Sequence, residues 1–343
     1  MPSRLPLGFA EMIEKKQHRA MVILAYGFAA MKLIENDSVW NRDERDGCLR
    51  ARTTNGGNPR KVHQIIPRRS LTTNYYVASH ISDFTESSLT DVLSNLKPDL
   101  VISTFASGSY DTQKRFVDCA VKAGVPRFVA PEFGQDTQNP GIHERLPPAK
   151  ERGRFIDYLR KLSGEGCIDW TAVASGYLLD YGLESGNLGF NIKWQSATMH
   201  GPGNEKFAAS SVRWIGQVML GVIIHWNEVC DQYIYACGMV TTANEILATL
   251  QRCTGQTWEV GRATDDEDCI REAERRIERG FLDAGMFLME RSVLYDVTLD
   301  AVRPFIEKDA KKALGLEGED LEDVVKKALY GYTHRDNECD CGN

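Results

Sequence analysis

The sequence predicts an α/β fold, a doubly wound parallel sheet with a smaller C-terminal substrate lobe. Three observations predict it. Leu100-Val-Ile-Ser-Thr is a short apolar run, the pattern of a strand covered on both faces. Residues 111–124 then switch to helical spacing, with Phe116, Val117, Ala120 and Val121 on one stripe and Gly124 and Pro126 placed to end it. Arg127-Phe-Val-Ala resumes an apolar run that stops at Pro131-Glu-Phe-Gly. Strand, helix and strand in this order make a β-α-β unit, and ligands of such sheets bind outside the carboxyl ends of the strands. Two such ends are expected here, at residues 103–107 and 130–134.

The other elements follow in order. Residues 1–18 read as an N-terminal extension, and Met21-Val-Ile-Leu-Ala-Tyr-Gly as a first strand running into a turn. Residues 29–34 could open a helix, followed by the charged stretch NDSVWNRDERDG. Cys48-Leu-Arg-Ala-Arg52 reads as a weak second strand, and Thr53 to Arg60 as turn chemistry. Residues 74–79 are a strand and 88–95 a helix, leading into the central unit. Residues 147–163 are helical after two prolines, and Trp170-Thr-Ala-Val-Ala-Ser is the next strand, ending at Gly176-Tyr-Leu-Leu. Beyond it come a strand at 196–199, an apolar helix at 210–224, a strand at 233–236, and a helix at 242–254 capped by Thr241 or Thr242. Two further helices are expected at 265–281 and 321–329. Alternating strands and helices with short loops argue for the parallel doubly wound arrangement. The domain expectation is a nucleotide-binding domain over 19–180, a substrate-binding lobe with returning sheet elements over 181–330, and a disordered tail from 331 to 343.

Composition narrows the function. A chain of 343 residues with 42% apolar and 26% charged residues is ordinary for a globular protein. A formal charge of -7 argues against a nucleic-acid surface, which wants a basic face. No apolar run reaches 18 residues, so no membrane span is expected, and the N-terminal stretch lacks the apolar core of a signal peptide. The 9 cysteines show no paired CxxC spacing, which suggests reduced thiols and a cytoplasmic setting. Cys339-Asp-Cys341 offers too few ligands for a metal, so none is expected. GxSxG, HExxH, GxxxxGK[ST] and DxDxDG are all absent, which leaves hydrolase, zinc protease, NTPase and calcium readings without motif support.

Gln113, then Ala123-Gly-Val-Pro-Arg-Phe-Val, then Pro131-Glu-Phe-Gly resembles the "Q…AAxxAGVxRFxPSEFG" stretch of the NmrA-like and isoflavone-reductase-like family, atypical short-chain dehydrogenase relatives. The likeness runs from about residue 52 to about 260 and is specific in its middle. It implies a Rossmann-like fold with NADP(H) as cofactor. The family's GxxGxxG turn corresponds here to Gly27-Phe-Ala-Ala30-Met-Lys-Leu33, which keeps the first glycine only. Such glycines let backbone N–H groups approach the pyrophosphate. The degenerate turn, and the charged residues where a packed helix belongs, predict weakened cofactor binding; a mistaken exon boundary would leave the same mark. Arg52 and Lys61 resemble the pair that clamps the adenosine 2′-phosphate, guanidinium and ammonium being suited to it. A solvated basic loop is the plainer reading. Ser103, Thr104 and Phe105 are expected to line the cofactor floor, with Glu132 and Phe133 beside the nicotinamide; core packing is the alternative for Phe133. Gln113 reads as a first-turn polar residue of its helix rather than a ligand contact.

Family reductases carry a helix lysine near K-x-x-V-x-x-Y-L that acts as acid/base or positions substrate. Aligning on Ile156-Asp157-Tyr158-Leu159 puts Arg152 in its place, with Lys150 two residues earlier and some 200° around the helix. An arginine holds its proton and suits an oxyanion or a polarised carbonyl rather than proton transfer. A solvated basic face is the plainer reading of both. Tyr177 lies in a loop that resembles a substrate-pocket wall and is a potential proton donor. His143 and His200 have no visible partner and read as structural.

The expected function is therefore an NADPH-dependent oxidoreductase acting on a small aromatic or heterocyclic specialised metabolite. Two alternatives stay open: an NADP-sensing regulator without catalysis, and a non-redox isomerase or cyclase of a biosynthetic pathway. The expected partner is a small aromatic substrate, with neither nucleic acid nor membrane; the sequence does not define an oligomeric state.

Overall fold

In the computed structural model, the described residues are 20–24, 40–42, 49–51, 61–67, 78–82, 84–104, 109–263 and 266–334. They fall into two compact units, each assembled from separated stretches of chain. The first runs to Glu132 and takes in Arg154–Val173 and Gly216–Ile234; the second takes in Phe133–Gly153, Ala174–Ile215 and the chain from Tyr235 onward.

The first unit carries a seven-stranded sheet. Its strands are β1 (Ala20–Leu24), β2 (Lys61–Pro67), β3 (Ala78–Ser82), β4 (Leu100–Ser103), β5 (Arg127–Val129), β6 (Asp169–Ala174) and β7 (Gln232–Tyr235), side by side in the order β7-β6-β5-β4-β1-β2-β3. The pairs β1–β2, β2–β3, β1–β4, β4–β5 and β5–β6 are parallel. This is the doubly wound order, reversing direction between β1 and β4. The expected parallel sheet is therefore present.

One expectation fails. The Cys48–Arg52 run does not supply the second strand of this sheet. Leu49–Ala51 pairs antiparallel with Trp40–Arg42 in a separate two-stranded sheet. Lys61–Pro67 lies beside β1 instead, with Ala20 opposite Lys61 and Leu24 opposite Ile65. Its sequence, KVHQIIP, carries three β-branched residues and is long enough to span the sheet, whereas LRA is not.

Helices α1 (Glu86–Leu96) and α2 (Tyr110–Lys122) form as their apolar spacing predicts. Ser109 caps α2, its Oγ accepting from Thr112 N at 3.4 Å. Asp111 in the first turn and Lys122 in the last suit the helix dipole. Gly124, at φ +72°, reverses the chain into β5. All four residues of β4 are buried. The core joins Leu89 and Leu93 of α1, Phe116, Val117 and Ala120 of α2, Phe128 of β5 and Trp170 of β6. Phe155, Ile156 and Leu159 of the helix Pro147–Gly164 add to the same cluster.

The second unit carries two small sheets. Phe190–Asn191, Ser196–His200 and Glu259–Ala263 form one; Tyr177–Leu178, Phe207–Ser210 and Met239–Thr241 form the other. The helix Ala243–Thr254 starts in a capping box: Thr242 Oγ1 accepts from Glu245 N at 3.2 Å, and Glu245 Oε2 accepts from Thr242 N at 3.0 Å. The helix Val212–Ile224 is opened by two carboxylates. Asp180 accepts from Val212 N at 3.0 Å, and Glu319 accepts from Ser211 N at 2.8 Å and Ser211 Oγ at 2.5 Å. Burial pushes both carboxyls up, Asp180 to about 6, where the Glu319 charge adds to the effect.

Phe116→Ala should destabilise the protein by about 3–5 kcal/mol, because the ring is fully buried and its loss leaves a cavity; denaturant unfolding measures this. A carboxyl raised in the folded state binds more protons folded than unfolded, so its stabilising effect is lost as pH rises from the ordinary carboxylate range through about 6. Asp180→Asn should therefore melt no higher than the wild type near pH 4 and higher than it at pH 7 to 8. Melting temperatures of the two proteins across that range provide the check.

Candidate functional site

The reversal of strand order brings the carboxyl ends of β1 and β4 together, with Leu24 opposite Ser103. In the first unit, the predicted floor residue Ser103 ends β4 and Thr104 follows it, and both are buried. Ser103 Oγ donates to Gln113 Oε1 at 3.1 Å. Gln113 thus ties the tip of β4 to the first turn of α2, in keeping with a structural role. The side chains at this tip are small, which suits a backbone that a cofactor must approach closely. Gly27, Ala30, Arg52 and Phe105 lie outside the described residues.

Lys61 is placed by its register. It is the first residue of β2 and pairs with Ala20, the first residue of β1. It therefore sits at the amino end of the sheet, whereas a cofactor of this fold binds beyond the carboxyl ends. The carboxyl end of β2 is Pro67, which Arg68 and Arg69 follow directly in the sequence. The spacing from Gly27 to Lys61 suggests a clamp; strand direction does not support that residue's part in it.

Glu132 follows β5 and is buried, with its Oε2 accepting from Tyr233 Oη at 3.2 Å. In the second unit, Phe133 has φ +25°, a backbone region that bulky residues seldom occupy, so the chain is strained just past the strand end. The following loop is anchored through Gly134, whose carbonyl accepts from Ser175 N at 3.0 Å and Gly176 N at 2.9 Å. Gly176 is required there: its φ is +76°, and a Cβ would come within 2.4 Å of the Ala208 carbonyl oxygen. Asp136 is buried, accepts from Tyr235 Oη at 3.2 Å, and has its carboxyl pushed up by that burial.

The two helix cations separate clearly. Lys150 is exposed, whereas Arg152 is half-buried. Arg152 Nε is buried with no hydrogen-bond partner among the described residues. Its charge acts on Glu290, a residue of the helix Leu282–Tyr295 that no sequence motif singles out. Burial pushes the Glu290 carboxyl up, and the guanidinium pulls it back. Glu290 also acts on Tyr177. Tyr177 is buried, and its hydroxyl is pushed well above the ordinary phenol range, first by burial and then by the Glu290 charge. A Cβ on Gly182 would lie 2.6 Å from the Tyr177 Oη, so the ring packs down on that glycine. Tyr177 can thus donate a hydrogen bond but gives up its proton with difficulty.

The two histidines are held in place. His143 Nε2 lies 2.5 Å from the Thr137 carbonyl oxygen, which makes it the protonated ring nitrogen. His200 stacks on Tyr295 at 5.3 Å, and burial lowers it to about 4, so it is neutral at neutral pH. No helix among the described residues is long and apolar enough to cross a membrane.

No family model matches the chain. It is similar to the oxidoreductase aprR of Aspergillus flavus, 29% identical over 240 residues that make up 68% of this chain and 77% of that protein. An NmrA-like family domain-containing oxidoreductase of Gibberella moniliformis is 23% identical over 158 residues, 43% of this chain and 48% of that one. Among solved structures, the pinoresinol-lariciresinol and phenylcoumaran benzylic ether reductases, described with their relationship to isoflavone reductases, align with a TM-score of 0.66 at 12% identity, over 91% of this chain and 99% of theirs. The leucoanthocyanidin reductase–NADPH binary complex from Vitis vinifera aligns with a TM-score of 0.65 at 15% identity, over the same 91% and 99%. At these identities the likeness to the solved structures is one of fold. One sequence relative is described as NmrA-like, and the fold is shared with reductases described with their relationship to isoflavone reductases, the same proteins that the central stretch of the chain resembles.

Proposed function

We propose that this chain is an NADP(H)-dependent oxidoreductase acting on a small aromatic or heterocyclic metabolite. The observation that carries the reading is the strand order, which reverses between β1 and β4 and sets their carboxyl ends side by side. That is where a doubly wound sheet holds a dinucleotide. The relatives named above are oxidoreductases, and one solved protein of this fold is described with NADPH. The bound cofactor would supply the hydride, and the protein supplies position and charge.

Ser103 and Thr104 would lie beneath the cofactor's ribose and nicotinamide, and Glu132 and Phe133 beside its reactive end. The 2′-phosphate would be gripped by arginine, whose fork matches phosphate oxygens. Arg52 stays a candidate, and Arg68 and Arg69 join it because they follow the carboxyl end of β2. Arg152, turned inward and balanced by Glu290, would hold a developing negative charge on the substrate oxygen. Lys150, exposed on the same helix, would remain in solvent.

One observation favours a second reading. Neither candidate for proton delivery is suited to that role, because an arginine keeps its proton and the Tyr177 hydroxyl is pushed far up. A chain that binds NADP(H) and turns nothing over, a sensor, would need neither residue to move a proton.

NADPH titration followed by nucleotide fluorescence should saturate, and the double variant Arg68→Ala/Arg69→Ala should lose roughly tenfold or more in NADPH affinity with little change for NADH. Unchanged NADPH binding would return the clamp to Arg52 alone. Arg152→Leu should lower turnover of an accepted substrate by roughly a hundredfold or more while NADPH affinity stays put. Saturable NADPH binding with no turnover across aryl ketones, quinones and unsaturated heterocycles would instead favour the sensor.

A further inference from the structure

Arg152 and Tyr177 are poorly suited to moving a proton, and the helix Leu282–Tyr295 brings a third group to them. Packing fixes its position. Ala149, one turn before Arg152 on the helix Pro147–Gly164, belongs to one apolar cluster with Met289 and Val293. Tyr177 belongs to another with Leu294 and Tyr295. Glu290 precedes Val293 by three residues and Leu294 by four, so it shares their side of the helix at the seam between the two clusters. Arg152, Tyr177 and Glu290 all lie in the second unit.

The two charges at this seam feel each other without closing. The Arg152 guanidinium acts on Glu290, yet neither residue makes an ion pair or a hydrogen bond among the described residues. Both are half-buried. Arg152 Nε is sealed in the interior, whereas its Nη atoms and the Glu290 carboxylate oxygens are not. A guanidinium and a carboxyl left apart in this way can receive a third group between them. A carbonyl oxygen suits the place, because it accepts from N–H and O–H alike.

The other polar groups around Glu290 are committed elsewhere. Arg291, next on the helix, donates from Nε to the Asn187 carbonyl at 2.8 Å. Tyr295 stacks on His200, which is neutral at neutral pH, and Tyr181 acts with Tyr295 on Tyr177. Asp296 pairs with Arg145 at 2.7 Å. Burial pushes the Glu290 carboxyl up toward the range in which a proton donor works best, and the guanidinium limits that rise.

The geometry points to Glu290 as the proton donor of this site, with a substrate carbonyl oxygen seated between its carboxyl and the Arg152 guanidinium. As the carbonyl carbon accepts hydride from a reduced nicotinamide, the C–O π pair moves onto oxygen and forms an O–H bond with the Glu290 proton. The products are an alcohol, the oxidised nicotinamide and the Glu290 carboxylate, which solvent reprotonates. This rests on the oxidoreductase reading and narrows its substrate to an aryl carbonyl compound.

Two experiments test it. The first needs no cofactor: benzoate, a ring bearing an anionic oxygen pair, is titrated calorimetrically into the full chain from about pH 6 to about pH 9. Ionised Glu290 repels the anion, so wild-type affinity should fall roughly tenfold or more as pH rises. Glu290→Gln, which mimics the protonated acid, should bind benzoate equally well at every pH, and Arg152→Leu should not bind it. The second uses NADPH and trifluoroacetophenone. Glu290→Gln should lower kcat roughly a hundredfold or more with KM nearly unchanged, and should lose the decline of wild-type kcat at high pH. Glu290→Asp should recover part of kcat together with that decline, and it serves if the glutamine variant lacks the wild-type melting transition. Absent or pH-independent benzoate binding by the wild type, or wild-type kcat in Glu290→Gln, overturns the proposal. The benzoate pattern without turnover of the ketone keeps the proton-linked site and removes the redox function; turnover without the benzoate pattern does the reverse.

Discussion

The architecture of the first unit depends on one constraint: β4 has no face left for solvent. All four of its residues are buried. A parallel strand in that position needs apolar cover on both sides, which helices supply through crossover connections. On the Val101 face that cover comes from the apolar sides of α1 and α2, through Leu89, Leu93, Phe116, Val117 and Ala120. With strands added outward on either side, the order reverses between β1 and β4, and the carboxyl ends at the reversal lie together. The crevice is a consequence of how the core is covered, so the cofactor reading follows from packing before any ligand-specific residue is considered.

The chemistry is governed by a different balance, that between burial and charge. The Glu290 carboxylate, disfavoured by burial, is favoured again by the Arg152 guanidinium. The same carboxylate makes Tyr177 a weaker acid. Removing a cation from this set would leave a buried negative charge unbalanced, a large penalty in a low-dielectric setting. A guanidinium there holds charge steadily and does not cycle a proton, which shapes the kind of reaction the residues can assist.

The second unit buries polar side chains in two ways. Asp180 and Glu319 are committed to the first backbone groups of one helix, where orphan N–H donors need acceptors. Glu205 and Gln135 line a cavity with polar atoms unmatched among the described residues. The first pair explains itself through the fold. Burial alone does not distinguish them; hydrogen-bond accounting does.

The sequence by itself determined the central β-α-β unit, the buried character of β4, the helix stop at Gly124, the placing of a cap at Thr241 or Thr242, and the parallel sheet. Each is written in local spacing or in a residue with restricted backbone preferences, so neighbours in sequence decide it. Only the tertiary structure decided that Lys61–Pro67, and not the run around Leu49, lies beside β1. Pairing is a contact between distant segments, and the polar residues of KVHQIIP hid the strand. Strand direction in turn put Lys61 at the wrong end of the sheet for a phosphate clamp, which residue counting could not reveal. Glu290, Gln135 and Glu205 carried no sequence signal, because their significance lies in what surrounds them after folding: a guanidinium from another helix for the first, an apolar cavity wall for the others. Desolvation is set by the whole packed structure, and it raises the carboxyl of Glu290, which no motif marks.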